Sequence, residues 1–414
     1  MRNPGVPKCR FCGSPLRHSL VDLGTSPLCE SYVTLESFGR PEPFFPLHVY
    51  VCEHCFLAQL EEFAPAEEIF AEYAYFSSYS DTWVQHAERY AGEMVDSYRL
   101  DASSLVVELA SNDGYLLEHF IRRGVPVLGV EPAGNVAKVA IEKGVPTLVR
   151  FFDLALAREL AAGGRMADLV CGNNVLAQVP RLNDFVAGIK SILKPQGVVT
   201  IEFPHIVRLM EGNQFDTIYH EHYSYFSLYA VERVFGAHGM RIFRVDTLAT
   251  HGGSLRIHAC HAEDSAVAEH ESLAAMRQVE RDYGIDRPEV YSSFQERVKE
   301  TKRGLLEFLI AAKRQGRRIC GYGAPGKGNT LLNYCGIRTD FIDFTVDRNP
   351  YKQGKFLPGS RIPIFAPDKL LEARPDYLLI LPWNLKEEIM SQTGYIRQWG
   401  GRFVVPIPEV QVYE

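Results

Sequence analysis

Short apolar runs separated by helix-like stretches dominate the middle of the chain. Residues 105–109 and 127–130 are two such runs, a further strand lies within 167–176, and another covers 197–203. Continuous apolar runs of this length are typical of parallel strands that are buried on both faces and connected by helices. The pattern therefore predicts a doubly wound α/β domain in the middle of the chain.

A second alternation of strands and helices occupies the end of the chain. The stretch 274–314 is charged with periodic apolar residues, which predicts a helix interrupted near Pro288. Residues 318–330 then form an apolar run, a glycine-rich turn and a helical stretch. Further buried strands are predicted at 344–347, 377–381 and 402–405. This block predicts a C-terminal Rossmann-like α/β domain.

Four cysteines near the amino terminus form two C-x-x-C knuckles. Each knuckle can place two thiolates on one ion, so the spacing predicts a tetrahedral structural zinc site in a small ribbon. The alternative is four unrelated buried cysteines. His54 lies inside the second knuckle and is interpreted as a bystander rather than a competing ligand. The candidate zinc ligands are Cys9, Cys12, Cys52 and Cys55.

Composition and charge narrow the class of protein. The 414 residues are 46% hydrophobic and 23% charged, which indicates a globular chain of two or three domains. The formal net charge of −7 gives no support for a nucleic-acid partner. No apolar run reaches the roughly 18 residues of a membrane span, and Met1–Gly5 lacks the apolar core of a signal peptide. We therefore expect a cytoplasmic protein whose thiols stay reduced.

Polar residues cluster where the predicted strands of the central domain end. Glu131 closes the second strand, where an acidic side chain can bond the ribose hydroxyls of a nucleotide-like cofactor. The turn 110–114 lacks G-x-G-x-x-G, which favours a cofactor without phosphate. Together these positions describe the sheet of an S-adenosylmethionine methyltransferase, although each alone could be a satisfied turn or cap. The candidate cofactor-binding residues are Glu108, Ser111, Asn112, Asp113, Gly114, Glu131, Asp153 and Asn173.

The segment 215–227 carries two His, one Glu, one Asp and three Tyr. A buried structural element would have to satisfy all their polar atoms, at about 1–3 kcal/mol for each one left unpaired. Imidazoles, carboxylates and phenols at one place suit proton transfer instead. The alternatives are a polar loop with a chance cluster, or a metal site formed by His220, Glu221 and His222.

The motifs taken together resemble the sugar C-methyltransferases of deoxysugar biosynthesis. The resemblance is carried by the cysteine knuckles, the turn after Glu108, the segment Tyr219–Ser227, the loop His251–Arg256 and the glycine-rich third block. It spans essentially the whole chain. It implies S-adenosyl-L-methionine as methyl donor and a nucleotide-linked 4-keto sugar as substrate. The implied reaction is methylation of the carbon next to the ketone, through an enolate.

The resemblance also implies an organisation into three domains. These are a zinc-binding domain over 1–70, a class I methyltransferase domain that binds S-adenosylmethionine over 71–260, and a Rossmann-like domain with nucleotide-sugar contacts over 261–414. The dTDP carrier and methylation at C3 rest on the family alone, since the sequence does not distinguish C3 from C5. The sequence also does not show whether the sugar carries an amino group, or what the oligomeric state of the protein is.

The candidate catalytic residues follow from the same resemblance. His222 is the expected base, because an imidazole has an ordinary pKa of about 6.5. Glu221 orients the site, Tyr219 donates to the ketone oxygen or shares the proton transfer, and His220 is a second donor or structural. The reverse assignment of Tyr219 and His222 stays open. The candidate substrate-binding residues are Tyr73, Tyr75, Ser254, Arg256, Lys327, Arg348 and Lys352.

Two rival functions remain at this stage. The glycine-rich turn at 321–328 also suits an NAD-dependent oxidoreductase of a nucleotide sugar, although only Asp343 or Asp347 could bond the ribose. A zinc-dependent interaction or nucleic-acid module with degenerate catalytic domains is the second rival. It is disfavoured by the acidic balance of the chain and by the intact segment 219–222.

Overall fold

The computed structural model of the protein describes residues 6–70, 73 and 75–414. Two sequence predictions therefore fall outside the described residues: the start of the central domain at residue 71, and the amino-terminal stretch 1–5 that lacks signal-peptide character. Among the helices of the described part, none combines the length and apolar character that a membrane crossing needs.

A small antiparallel sheet forms the amino-terminal layer. Its strands are β1 (His18–Ser26), β2 (Phe45–Val51) and β3 (Ala58–Leu60), followed by the short helix α1 (Ala66–Phe70). Its fourth strand comes from much further along the chain: Ala58 pairs with Tyr225 and Gln59 with Ser224. The polar segment 215–227 thus completes the sheet that carries the cysteine knuckles.

The central domain begins with the long helix α2 (Asp81–Tyr98), whose first turn is capped by Ser80. Its strands are β4 (Val106–Leu109), β5 (Val127–Val130), β6 (Thr147–Leu148), β7 (Ala167–Asn173), β8 (Leu193–Pro204), β9 (Ser224–Tyr225, in the amino-terminal sheet), β10 (Met240–Leu248) and β11 (Ser254–His261). The helices between them are α3 (Leu117–Ile121), α4 (Gly134–Glu142), α5 (Leu154–Ala162), α6 (Leu182–Ile192), α7 (Ile206–Glu211) and α8 (Leu228–Ala237).

The central sheet has the order β10-β11-β8-β7-β4-β5-β6. Strands β4 to β8 are parallel, and β11 enters antiparallel between β8 and β10. From its far edge this sheet follows the doubly wound order 3-2-1-4-5, in which ligands bind outside the carboxyl ends of the strands. The predicted doubly wound α/β fold of the central part is confirmed.

The carboxyl-terminal part begins with three helices, α9 (Glu271–Tyr283), α10 (Pro288–Ser292) and α11 (Phe294–Arg314). The α/β block that follows contains β12 (Ile319–Tyr322), α12 (Gly326–Cys335), β13 (Thr345–Val346), β14 (Ile364–Phe365), α13 (Lys369–Ala373), β15 (Tyr377–Ile380), α14 (Lys386–Gln392), β16 (Arg402–Val405) and β17 (Gln411–Tyr413). The sheet order β14-β13-β12-β15-β16-β17 again follows the doubly wound order, and only β17 is antiparallel.

The helical stretch before this block is interrupted near Pro288, as predicted. Gly284 ends α9 in a left-handed conformation, which glycine adopts without steric cost. Pro288 begins α10 as its first residue, where a missing N–H is harmless. The proline therefore starts a helix here rather than breaking one.

An apolar core joins the amino-terminal sheet to the carboxyl-terminal block. Buried residues of β1 and β2, of the segment 206–218, and of α11, β12 and β15 all pack into it. A separate core fills the space between the central sheet and its helices. The shared core holds the carboxyl edges of the two doubly wound sheets on opposite walls of one cavity.

Candidate active site

A cavity of about 990 Å³ lies between the two sheets. Residues after β4, β5 and β7 line it on one side, residues after β12, β13 and β15 line it on the other, and Thr217, Tyr219, Glu221 and His222 lie between them. The volume is at the upper end of the range for small-molecule sites. One space therefore opens to two strand edges of the kind that bind nucleotide-like ligands.

Glu131 marks the central-domain end of this cavity. Its carboxylate accepts the backbone N–H of Asn112 at 2.8 Å with one oxygen and that of Ala133 at 2.8 Å with the other. Each oxygen keeps a lone pair for a further donor. Burial raises the pKa of this carboxyl to about 7.

Asn173, at the end of β7, lines the same end of the cavity with an unused side chain. Neither its Nδ2 nor its Oδ1 has a hydrogen-bond partner among the described residues, although both atoms are buried. Buried polar atoms in folded proteins are normally paired. A carboxylate with spare lone pairs and an unpaired amide in the same cavity fit the ribose and the polar groups of S-adenosylmethionine.

Three predicted cofactor residues do not line the cavity. Glu108 is buried inside β4 and does not line the cavity, and burial raises its pKa well above the ordinary value. Ser111 faces Gly129 within the sheet. A Cβ on Gly114 would come within 2.9 Å of Val145, so this glycine serves close packing under a positive φ of 79°.

Two further predicted cofactor residues shape the backbone instead of lining the cavity. Asp153 caps α5 by accepting the N–H of Leu156 at 2.7 Å. Asp113 accepts hydrogen bonds from the hydroxyl and the backbone N–H of Ser78. Asp113 therefore ties the segment that carries Tyr73 and Tyr75 to the turn after β4.

His222 lines the cavity with a defined tautomer. Its Nδ1 is 2.9 Å from the carbonyl oxygen of Thr217, which can only accept, so the neutral ring carries its proton on Nδ1. Nε2 then has a free lone pair. Burial lowers the pKa of His222 to about 4, and the ring of Tyr219 packs against it with centroids 4.0 Å apart. This imidazole is unprotonated at neutral pH and can accept a proton.

Glu221 belongs to a buried polar cluster beside His222. Its two oxygens accept from the thiol of Cys29 and from the hydroxyl of Tyr73, each at 3.1 Å. Burial, and next the neighbouring carboxylate of Glu30, raise the pKa of Glu221 to about 7. Its carboxylate holds the Tyr73 hydroxyl in a fixed direction, and the orienting role of Glu221 in catalysis stays a prediction.

His220 lies on the opposite side of its segment. Its Nε2 is 3.1 Å from the carbonyl oxygen of Pro46, and its ring contacts Phe45 edge-on. It does not line the cavity. The side chain therefore packs against the amino-terminal sheet, which matches the structural alternative for this residue.

Three of the four predicted cations line the carboxyl-terminal end of the cavity. Lys327 donates to Asn384 at 2.6 Å and lies over the ring of Trp383, and burial lowers its pKa. Lys352 is 3.7 Å from a carboxylate oxygen of Glu30. The side chain of Arg348 is half exposed, with its nearest carboxylate 3.7 Å away.

Arg256, the fourth predicted cation, is engaged elsewhere. Its guanidinium lies on β11 and contacts Glu202 at 2.6 Å and 2.7 Å, with both side chains almost fully buried. Ser254 donates to the carbonyl of Thr250. Neither Arg256 nor Ser254 lines the cavity, and both are buried on β11.

The sequence reasoning missed three cavity residues. Asn174 directly follows Asn173 and donates from Nδ2 to Nε2 of His251 at 2.8 Å. His251 begins the loop His251–Arg256, which contributes to the family resemblance, but no role was predicted for this residue. His86 lies on α2, where it resembled any polar position of an amphipathic helix, and it contacts Glu202 at 2.9 Å. Only the noted loop carried a usable signal.

The four predicted zinc ligands converge at the edge of the amino-terminal sheet. All four sulfurs lie within 4.8 Å of one another, with 3.6 Å between Cys9 and Cys55 and 3.5 Å between Cys12 and Cys52. A tetrahedral zinc with bonds of about 2.3 Å places its sulfurs about 3.8 Å apart. Gln59 donates to Cys9 at 3.2 Å and supports the thiolate form.

Comparisons with known proteins match the amino-terminal, the central and the carboxyl-terminal parts of the chain. Family models match at residues 9–70 (a zinc binding domain), 83–245 (a methyltransferase domain) and 249–408 (a C-methyltransferase C-terminal domain). The C-methyltransferase NovU of Streptomyces niveus is 38% identical over 413 residues, which is 98% of this chain and 97% of that protein.

Two similar solved structures each cover half of this chain or less. The magnesium protoporphyrin IX methyltransferase of Synechocystis PCC 6803 with bound SAH covers 43% of this chain and 83% of its own, at 16% identity and a TM-score of 0.36. The 1,6-didemethyltoxoflavin-N1-methyltransferase of Burkholderia thailandensis covers 50% and 95%, at 17% identity and the same TM-score. Both scores are too low to bear on the chemistry of this chain.

Proposed function

The chain belongs to the S-adenosylmethionine-dependent C-methyltransferases, and we propose that it methylates the carbon next to the ketone of a nucleotide-linked 4-keto sugar. The observation that carries this proposal is the tautomer of His222, whose free Nε2 faces a cavity open to both sheets. Family membership decides against the oxidoreductase alternative. The zinc held by the four cysteines is structural, since the cluster lies outside the cavity.

Forming a carbon–carbon bond requires a nucleophilic carbon, which a ketone can provide after loss of a neighbouring proton. Nε2 of His222 takes that proton, and the bonding pair moves into the enolate. S-adenosylmethionine supplies the electrophilic methyl group. His222 then returns its proton to solvent, because burial disfavours the charged ring.

Tyr219 and Glu221 assist the base in this proposal. Burial raises the pKa of Tyr219 well above its ordinary value, so its phenol stays protonated and can donate a hydrogen bond. Glu221 holds the hydroxyl of Tyr73 in a fixed direction. Tyr73 and Tyr75 both line the cavity and supply walls for the sugar.

The nucleotide would bind at the carboxyl-terminal end of the cavity. There Asp347 follows β13 and accepts the backbone N–H groups of Ala324 and Asn349 at 2.7 Å and 2.8 Å. This repeats the arrangement of Glu131, which also lies after the second strand of a doubly wound sheet and accepts one N–H from the turn after the first strand. The repeat supports a nucleoside at each end of the cavity, with the sugar between them.

The diphosphate of the substrate would meet the cations Lys327, Arg348 and Lys352, which line that end of the cavity. A dTDP carrier and methylation at C3 are our proposal for the finer identity of the substrate. They rest on the family resemblance, and the charge arrangement fits any nucleoside diphosphate sugar.

The test is mass spectrometry of nucleotide-linked 4-keto sugars incubated with the protein in heavy water. Gain of one methyl group with S-adenosylmethionine, and deuterium uptake next to the ketone without it, are the expected results. Binding of S-adenosylmethionine without methylation or exchange of any sugar in a panel of dTDP- and UDP-linked 4-keto sugars would overturn the proposed substrate. NMR of the product then assigns the methylated carbon.

A further inference from the structure

Two neutral imidazoles face the cavity with opposite tautomers. His222 donates from Nδ1 to the carbonyl of Thr217, which leaves the lone pair of Nε2 free. His251 is 2.8 Å from Nδ2 of Asn174, and an amide NH₂ can only donate. Nε2 of His251 therefore accepts, and its ring proton lies on Nδ1. Among the described residues this Nδ1 has no hydrogen-bond partner, so one imidazole presents an acceptor and the other a donor.

The backbone holds His251 in a conformation that costs free energy. Its φ is 54°, in the left-handed region that residues other than glycine rarely adopt. Asn174, its hydrogen-bond partner, has a φ of 61° and is fixed by its own N–H, which donates to the carbonyl of Glu202 at 2.9 Å. Backbone conformations of this kind concentrate at functional sites, where neighbouring contacts enforce them.

The surroundings keep the ring of His251 in place and neutral. It packs edge-on against Trp83, with centroids 5.1 Å apart. Burial, and next the nearby charge of Lys327, lower its pKa to about 3. An imidazole that stays neutral while donating an N–H can stabilise developing negative charge without giving up a proton.

We propose that His251 is a catalytic residue whose Nδ1–H donates a hydrogen bond to the ketone oxygen while Nε2 of His222 removes the neighbouring proton. This inference rests on the proposed function. The C–H bonding pair becomes the enolate double bond, and the carbonyl π pair moves to the oxygen that His251 contacts. One proton passes from carbon to His222, and none leaves His251.

Two variants separate donation from packing. His251→Asn places an amide NH₂ on the same γ carbon that bears Nδ1, and asparagine tolerates a left-handed backbone. His251→Phe keeps an aromatic ring against Trp83 and removes the donor. Loss of one oxyanion donor costs on the order of 10²–10³ in kcat, so we expect that loss for the Phe variant and a loss of about tenfold or less for the Asn variant.

The assay measures methyl transfer, donor-free deuterium exchange and affinity for S-adenosylmethionine, with His18→Gln on the protein surface as the control. We expect the two rates to fall together in the Phe variant, with unchanged affinity for S-adenosylmethionine. A Phe variant as fast as the Asn variant, or faster, would overturn the role of His251. A wild-type protein that methylates no keto sugar would instead refute the proposed function, which keeps the two failures distinct.

Discussion

Replacing Arg256 tests whether this cation stabilises the fold or binds the substrate diphosphate. Its guanidinium and the carboxylate of Glu202 are 3% and 1% exposed and lie 2.6 Å apart. Removing one partner of a buried ion pair costs about 3–5 kcal/mol, because the other charge stays buried without its counterion. After Arg256→Ala, His86 would be the one close side-chain partner left to Glu202 among the described residues, so we expect a loss of that size in the free energy of unfolding.

Calorimetry measures this loss as a change in melting temperature. At about 2–4 °C per kcal/mol for a domain of this size, the expected fall in Tm is about 6–20 °C. The matched variant is Arg348→Ala, which removes a half-exposed cation whose ion pair is worth at most about 1 kcal/mol. We expect Arg348→Ala to raise KM for the nucleotide sugar and leave Tm unchanged. Wild-type Tm with a raised KM in Arg256→Ala would refute our interpretation and restore the role inferred from sequence.

Three further predictions concern the base, the metal and the buried carboxyl. His222→Asn keeps a donor for the carbonyl of Thr217 but removes Nε2, so kcat should fall by about 10²–10⁴ while calorimetric affinity for S-adenosylmethionine stays the same; unchanged turnover would exclude His222 as the base. Elemental analysis should find one zinc per chain, and Cys52→Ser should lose it and expose the amino-terminal sheet to proteolysis; metal-free fresh protein would contradict this. The pKa of Glu221 rises from 4.5 to about 7 on folding, so the protonated carboxyl stabilises the fold at low pH and that contribution disappears as the pH rises from about 4.5 to 7. Urea unfolding of Glu221→Gln should lack this decline, and a parallel pH profile would disprove the assignment.

The fold was predictable because its central strands are mostly apolar runs, even though β4 includes the buried Glu108. β4 and β5 are buried along their whole lengths. Strands that are buried on both faces are recognised in a sequence by their mostly apolar residues. The short strand β9 carried no such signal, because two residues that complete a distant sheet have no periodicity of their own. Its pairing with β3 depends on contacts separated by well over a hundred residues.

Residues of the cavity were predictable only where one rule applies, namely that ligands bind at the carboxyl ends of the strands in a doubly wound sheet. That rule identified Asn112, Glu131 and Asn173, which all line the cavity. It does not distinguish a side chain that faces a ligand from one that caps a helix, which is the position of Asp153. Nor does the sequence reveal that Arg256 faces a buried carboxylate, since that contact depends on how β11 is paired.

The pairing of β9 with β3 has a consequence for the order of folding during synthesis. Ribosomes deliver the cysteine knuckles and β3 long before Ser224 and Tyr225 emerge. Until then β3 offers an unpaired edge to other nascent chains. The last strand of the amino-terminal sheet and the segment that carries the proposed base His222 reach their places in the same event, so a chain stalled before residue 215 has the four cysteines but neither of these.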